Sequence, residues 1–193
     1  MTTKIKYLVG DATEPIGSGN KLICHCCNDI NGWGAGFVLA LNRKWKEPEK
    51  RYHDWYKKNG NKLHLGTIQA VQVEKDIAVI NMIGQKGIMK YMNVNGAPPI
   101  RYDAIQLCLE KISKLAKKYN ATIHAPRFGA GLAGGDWNKI EKAIIDTLSN
   151  NNIEVFIYDL PGVPFIQLTS IENISSDSNG SLDNNAMDDL FEI

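Results

Sequence analysis

Two segments of this chain follow one plan: an apolar run, a glycine-rich turn, then an amphipathic helix. In the first, KLICHCCN (21 to 28) has the unbroken apolar character of a strand buried on both faces. It leads into NDINGWGAGF (28 to 37), and FVLALNRKW (37 to 45) continues with helical apolar spacing. In the second, ATIHAP (121 to 126) enters RFGAGLAGGDW (127 to 137), and DWNKIEKAIIDTLSNN (136 to 151) opens a helix with Asp136 as its N-cap. Strands covered on both faces demand a helical layer on each side. The expectation is an α/β fold of three layers, α/β/α, around a mixed, mostly parallel central sheet.

Glycine inside ordered structure costs backbone entropy, so the four between 127 and 137 need a reason. They are a linker, a set of tight turns, or a surface for close approach to a ligand's phosphates. Both loops fall where open α/β sheets bind ligands, beyond the C-terminal ends of strands. Missing side chains let backbone N–H groups crowd around anionic oxygens, and a helix N-terminus adds positive potential. Neither loop matches GxxxxGK[ST], nor GxGxxG with an acidic residue about 20 positions later.

The remaining segments complete an alternation of strand and helix. KIKYLVG (4 to 10) reads as a first strand, and EPEKRYHDWYKKNG (47 to 60) as a helix with Pro48 near its start and Gly60 past its end. LGTIQAVQVEKDIAVINMIG (65 to 84) gives two strands around a polar turn, and GIMKYMNVNGAPPI (87 to 100) is an irregular loop of the kind that covers a site. RYDAIQLCLEKISKLAKKYN (101 to 120) is a long amphipathic helix, and IEVFIYDL (153 to 160) a last strand.

Charge divides the chain in two. Residues 169–193 hold six acidic side chains and no lysine or arginine, which leaves 22 basic against 15 acidic groups in residues 1–168. A mildly basic body suits a small anionic ligand, and no dense basic stripe marks a nucleic-acid track. We expect one domain over 1–168 and a disordered, acidic tail over 169–193. No apolar run is long enough to cross a membrane and no secretory signal opens the chain. Cys24, Cys26 and Cys27 crowd one strand with Cys108 far away, a poor disulfide framework, so reduced thiols in a cytoplasmic protein are expected. CHCC lacks the spacing of zinc ligands and the histidines are scattered, so neither metal nor cofactor is expected.

VGDAT (9 to 13), ICHCCNDINGWGAGF (23 to 37), VINMIGQ (79 to 85), PPIRYDA (98 to 104), PRFGAGLAGGDW (126 to 137) and VFIYDL (155 to 160) together resemble a macrodomain. The likeness runs in order over roughly residues 4 to 165. It is nearest the ADP-ribose 1″-phosphate phosphatases of bacteria, phage and yeast, and close to the branch that removes terminal ADP-ribose from proteins. The resemblance implies a monomer that binds a small nucleotide, ADP-ribose or its 1″-phosphate, or an ADP-ribosylated macromolecule. It implies that Asp11 accepts from the adenine amino group, with Gly10 and Ala12 beside it and Tyr158 and Leu160 flanking the base. Asn28 would reach hydroxyls of the distal ribose, which Trp33, Gly34, Ala35, Gly36, Phe37 and Val38 wrap together with the adjoining phosphate, and Cys27 is a further ligand-binding residue. Phe128, Gly129, Ala130, Gly131, Leu132, Ala133 and Gly134 would cradle the diphosphate through their N–H groups. Arg127 faces phosphate or sits in a structural ion pair.

Removing a 1″-phosphate requires delivery of water and stabilisation of the leaving oxygen. His25 is a candidate acid or base near neutrality, against the alternative of a buried histidine. Asn28 is grouped with it as a contact at the reacting end. Asp29 could orient water or cap a turn, and Asp136 could approach the reacting end or serve as an N-cap. In the deribosylating branch Gln85 stands where a catalytic lysine is found and Ala133 where an aspartate is, with Lys86 one position away. Glutamine forms no Schiff base and alanine carries no acid, so a lysine route is not expected. Three functions follow: the phosphatase, which we favour; a non-lysine ADP-ribosyl hydrolase acting on protein or nucleic acid; and a binding module without catalysis.

Overall fold

The computed structural model describes residues 4–88 and 96–162. The strands are β1 (Lys6–Val9), β2 (Lys21–Asn28), β3 (Ile68–Glu74), β4 (Ile77–Gln85), β5 (Thr122–Pro126) and β6 (Val155–Asp159). The α-helices among the described residues are α1 (Phe37–Lys44), α2 (Glu47–Lys58), α3 (Tyr102–Tyr119) and α4 (Trp137–Thr147). One sheet has the order β1-β6-β5-β2-β4-β3, parallel throughout except for β3, which pairs antiparallel with β4 at the edge. The β3–β4 connection is short because Lys75 and Asp76 alone turn the chain, and Asp76 then ion-pairs Lys21 Nζ at 2.6 Å at the start of β2.

Strand β2 shows why the apolar run must be central. Leu22 and Cys24 face α3 and α4, where Ile105, Leu109, Ile112, Ile140 and Ile144 complete the larger core. Ile23 and Cys27 face the other way, against Leu41 and Trp45 around α1 and Tyr52 of α2. Alternation in a strand sends successive side chains to opposite faces, so a strand between two helical layers is buried on both, and Leu22, Ile23, Cys24 and Cys27 are all within the core.

The helix ends follow their local chemistry. Asp136 caps α4 by accepting from Asn138 N–H at 2.9 Å. Pro48 sits in the first turn of α2, and Asn120 closes α3 in the left-handed conformation (φ 48°). The three-layer expectation holds in every element that the sequence marks. The expected tail and the boundary at 168 lie outside the described residues, as does the middle of the 87–100 loop.

Candidate functional site

A cavity of about 610 Å³ opens beyond the C-terminal ends of β2, β4 and β5, walled by both glycine loops. Topology places it there: β5 and β2 are parallel neighbours, so the loops that leave them emerge side by side. A β-carbon built on Gly36 would sit 3.3 Å from Leu132 Cδ1, so the two loops touch.

The second loop is held by turns of its own. Gly129 (φ 76°) and Gly134 (φ 67°) adopt left-handed conformations, and Gly135 N–H donates to Gly129 O at 2.8 Å. A β-carbon on Gly135 would lie 2.4 Å from Gly129 O, which backbone cannot accommodate. Phe128, Ala130 and Gly134 N–H groups are spent inside the loop, on Pro126 O, Arg127 O and Gly131 O. Those of Gly129, Gly131, Leu132 and Ala133 have no partner among the described residues. Of the seven amides from Phe128 to Gly134 expected to cradle a diphosphate, these four are the ones without a partner among the described residues.

The first loop presents a second set. Gly36 (φ 76°) begins α1 without a side-chain cap, and the N–H groups of Gly34, Ala35, Gly36, Phe37 and Val38 have no partner among the described residues. All five residues line the cavity. The first N–H groups of a helix have no intrahelical partner, so these amides, on residues that line one cavity, are open to solvent or to an anionic ligand. The positive end of the α1 dipole points the same way.

Side chains of the cavity are mostly committed. Asn28, 6% exposed, folds the 28–36 loop around itself: Oδ1 accepts from Ile30 and Gly32 N–H, and Nδ2 donates to Gly32 O at 2.7 Å. Tyr52 of α2 donates its hydroxyl to Asn28 O at 2.7 Å, which fixes the base of the loop. His25 lines the cavity but is 2% exposed, with Nε2 at 2.6 Å from Asn81 Oδ1. Because Asn81 Nδ2 donates to Pro48 O and Gln69 Oε1, its oxygen accepts, so His25 carries its proton on Nε2. Burial lowers the His25 pKa to about 4, although the bond to Asn81 opposes this. The expectation that His25 titrates near neutrality is corrected: it is a neutral imidazole there, able to accept but not to act as an acid. Cys26 and Cys27 also line the cavity, and burial pushes their thiols far up, so neither is a ready nucleophile.

The carboxylates lie elsewhere. Asp29 does not line the cavity; its Oδ1 accepts from Gly87 N–H at 2.7 Å and ties the 28–36 loop to the end of β4. Asp136 also lies off the cavity and serves as the α4 cap. Arg127 lines the wall and is held bidentately by Asp159, at 2.6 and 2.8 Å, with its guanidinium 4.6 Å from the Tyr7 ring centre. Of its two readings, the ion pair is the one seen. Gln85 and Ala133 both line the cavity, whereas Lys86 is exposed and does not.

The expected adenine end flanks the cavity without lining it. Asp11 Oδ1 accepts from Thr13 N–H at 2.8 Å, Gly10 N–H donates to Asp159 O, and Ala12 is packed against Phe156 and Tyr158. The Tyr158 hydroxyl bonds His124 Nδ1 at 2.9 Å and accepts from Ile16 N–H, and Leu160 is half exposed. Phe37 joins the two regions, since it packs on the Ala12–Tyr158 cluster and also lines the cavity. Sequence reasoning did not name Cys26, Ile88 and Pro126 as wall residues; the register that sets Asn28 opposite Gln85 is the signal that brings β4 to the site.

No family model matches the chain. A macrodomain protein from Streptomyces coelicolor is 43% identical, with a TM-score of 0.71 over 81% of this chain and 99% of that one. The chain belongs to the macrodomain family. A protein of unknown function from Bacteroides thetaiotaomicron is 51% identical, with a TM-score of 0.79 over 82% of this chain and 99% of that one. Among curated relatives, Chromodomain-helicase-DNA-binding protein 1-like of Danio rerio is 30% identical over 81% of this macrodomain, which spans 16% of that protein's length. More distantly, an ADP-ribose 1″-phosphate phosphatase of Lodderomyces elongisporus is 23% identical over 80% of this chain and 99% of its own. A macrodomain of Oceanobacillus iheyensis solved with ADP shares the fold at 18% identity, with a TM-score of 0.61 over 82% of this chain and 84% of that one. No helix among the described residues is long and apolar enough to cross a membrane.

Proposed function

We propose that this macrodomain binds ADP-ribose in the cavity and hydrolyses ADP-ribose 1″-phosphate to ADP-ribose and phosphate. The observation that carries the ligand is the set of N–H groups without a partner among the described residues, Gly34 to Val38 on one loop and Gly129 with Gly131 to Ala133 on the other, on residues that line one cavity. Such a surface offers main-chain donors at close approach, which suits a diphosphate held along its length. The relative that acts on ADP-ribose 1″-phosphate supports the reaction, as does the macrodomain solved with ADP for the ligand.

In the proposed reaction water attacks phosphorus, the bond from phosphorus to the 1″ oxygen breaks, and that oxygen takes up a proton from solvent water, while the attacking water's proton leaves through the protein. Phosphoryl transfer of this kind is achieved mainly by positioning and by donors aimed at the phosphoryl oxygens. No lysine or carboxylate lines the cavity among the described residues, so we assign the water's proton to His25 Nδ1, which the bond to Asn81 leaves unprotonated and which has Cys27 Sγ 3.8 Å away. A base whose pKa is about 4 stays neutral from pH 6 to 8, so the rate should be flat there.

A second reading, a binding module without turnover, is favoured by one observation: Asp29 and Asp136, the carboxylates best suited to activate water, are both engaged away from the cavity. Incubation of the full chain with ADP-ribose 1″-phosphate separates the two. Phosphate release that disappears in His25→Ala supports the phosphatase, whereas tight binding with no release supports the module.

A further inference from the structure

The polar side chains of the cavity wall are accounted for by bonds inside the protein, with one exception. Asn28 is closed on its own loop, Trp33 Nε1 donates to Asn42 Oδ1 at 3.2 Å, His25 is held by Asn81, and Arg127 by Asp159. Gln85 differs. Its Nε2 donates to Gly87 O at 3.1 Å, while its Oε1 has no partner among the described residues. It stands at the end of β4 opposite Asn28 at the end of β2, and both line the cavity.

The amide of Gln85 is also aimed by a neighbour. Asp29 accepts from Gly87 N–H, and Gly87 O in turn accepts from Gln85 Nε2. Gly87 has φ 68°, so this turn is a left-handed one that is held from both sides of its peptide. Lys86 N–H donates to Pro99 O at 2.8 Å and anchors the same strand end from outside. Fixing Nε2 fixes where Oε1 points, since the amide is planar. The result is an acceptor presented beside Asn28, where the distal sugar would lie.

Resting on the ADP-ribose reading of the site, we propose that Gln85 is its specificity-determining side chain for the distal ribose. Its Oε1 accepts from a hydroxyl of that sugar, and Asp29 is a positioning residue that acts on it through Gly87. This gives Asp29 a role without placing it against the ligand, and it gives the glutamine one that does not require acid–base chemistry.

The test compares ADP-ribose with ADP, which lacks the distal ribose, by calorimetric titration of the full chain and of Gln85→Ala, Asp29→Ala and Asp29→Asn. Loss of one neutral hydrogen bond lowers affinity by about two- to tenfold. Gln85→Ala and Asp29→Ala should each weaken ADP-ribose by that factor and leave ADP unchanged. Asp29→Asn, which keeps an oxygen acceptor for Gly87 N–H, should recover most of the ADP-ribose affinity, a rescue that general loss of structure would not give. Unaltered melting temperatures confirm folded variants. ADP-ribose affinity in Gln85→Ala equal to wild type overturns the assignment, as does an equal loss for both nucleotides. Wild-type protein that binds neither nucleotide would instead bring down the ligand reading itself.

Discussion

Gly131 is the position where the two explanations of the glycine cluster separate. Its φ is not left-handed, and a β-carbon built on it meets nothing within 4 Å, so the fold does not need glycine there. Yet it lines the cavity, and its N–H has no partner among the described residues. Gly131→Ala should therefore stabilise the ligand-free protein by reducing the freedom of the unfolded chain, by about 0.4–1 kcal/mol. In a domain of this size that raises Tm by about 1–4 °C. With ligand the sign reverses. The new methyl group enters the space where phosphate approaches, and one hydrogen bond to a charged oxygen is worth about 1.5–3 kcal/mol. Affinity should fall by about 10- to 150-fold. The assay is a thermal melt without ligand, paired with a calorimetric titration of ADP-ribose. A variant that melts higher and binds weakly is the expected result. One that binds ADP-ribose as wild type does refutes the claim that this glycine exists for close approach, and one that melts lower refutes the claim that the fold can spare it.

Other consequences follow from the same geometry. Gly135→Ala sets a β-carbon 2.4 Å from Gly129 O, so the loop must open, and Tm should fall along with affinity. Arg127→Ala leaves Asp159, whose side chain is 29% exposed, without its bidentate partner; denaturant unfolding should show a loss of about 1–3 kcal/mol. Acid should also unfold the protein early. Burial lowers the pKa of His25 to about 4, below the 6.5 of the unfolded chain, so the native state favours the neutral ring. The associated stability is complete above pH 6.5 and is lost as pH falls toward 4, by up to about 3 kcal/mol. His124, lowered to about 4 chiefly by burial, acts in the same direction. Denaturant midpoints at pH 7.5, 6 and 5 should therefore decline in order, and a midpoint that does not move across this range would contradict the buried, neutral assignment.

The layers and the loops were legible because they rest on local rules. The apolar stretch inside 21 to 28 marks a strand covered on both faces, and Asp136 before an amphipathic stretch marks a helix cap. The irregular 28–36 segment was legible as a loop, but not its closure, because that depends on the Tyr52 hydroxyl arriving from α2, a contact 24 residues away in sequence. His25 shows the same limit from the chemical side. Its position in a cavity could be guessed, whereas its loss of charge near neutral pH required knowing that the fold buries it in a dry interior, where Asn81 from β4 faces it. Asp29 reads as a candidate for handling water until Gly87, 58 positions on, is seen to occupy it. For Arg127 the deciding partner is Asp159 at the end of β6. In each case the undecided quantity was which distant polar group would reach the side chain first, and no local spacing encodes that.

The central claim is that main-chain amides of two glycine loops grip a diphosphate. Titrating the full chain in parallel with ADP-ribose and with adenosine, which has the same base and no phosphate, tests it most directly. Exothermic one-to-one binding of ADP-ribose, with adenosine giving no measurable heat, is the predicted result. Equal affinity for the two compounds, or no binding of ADP-ribose at all, would contradict it.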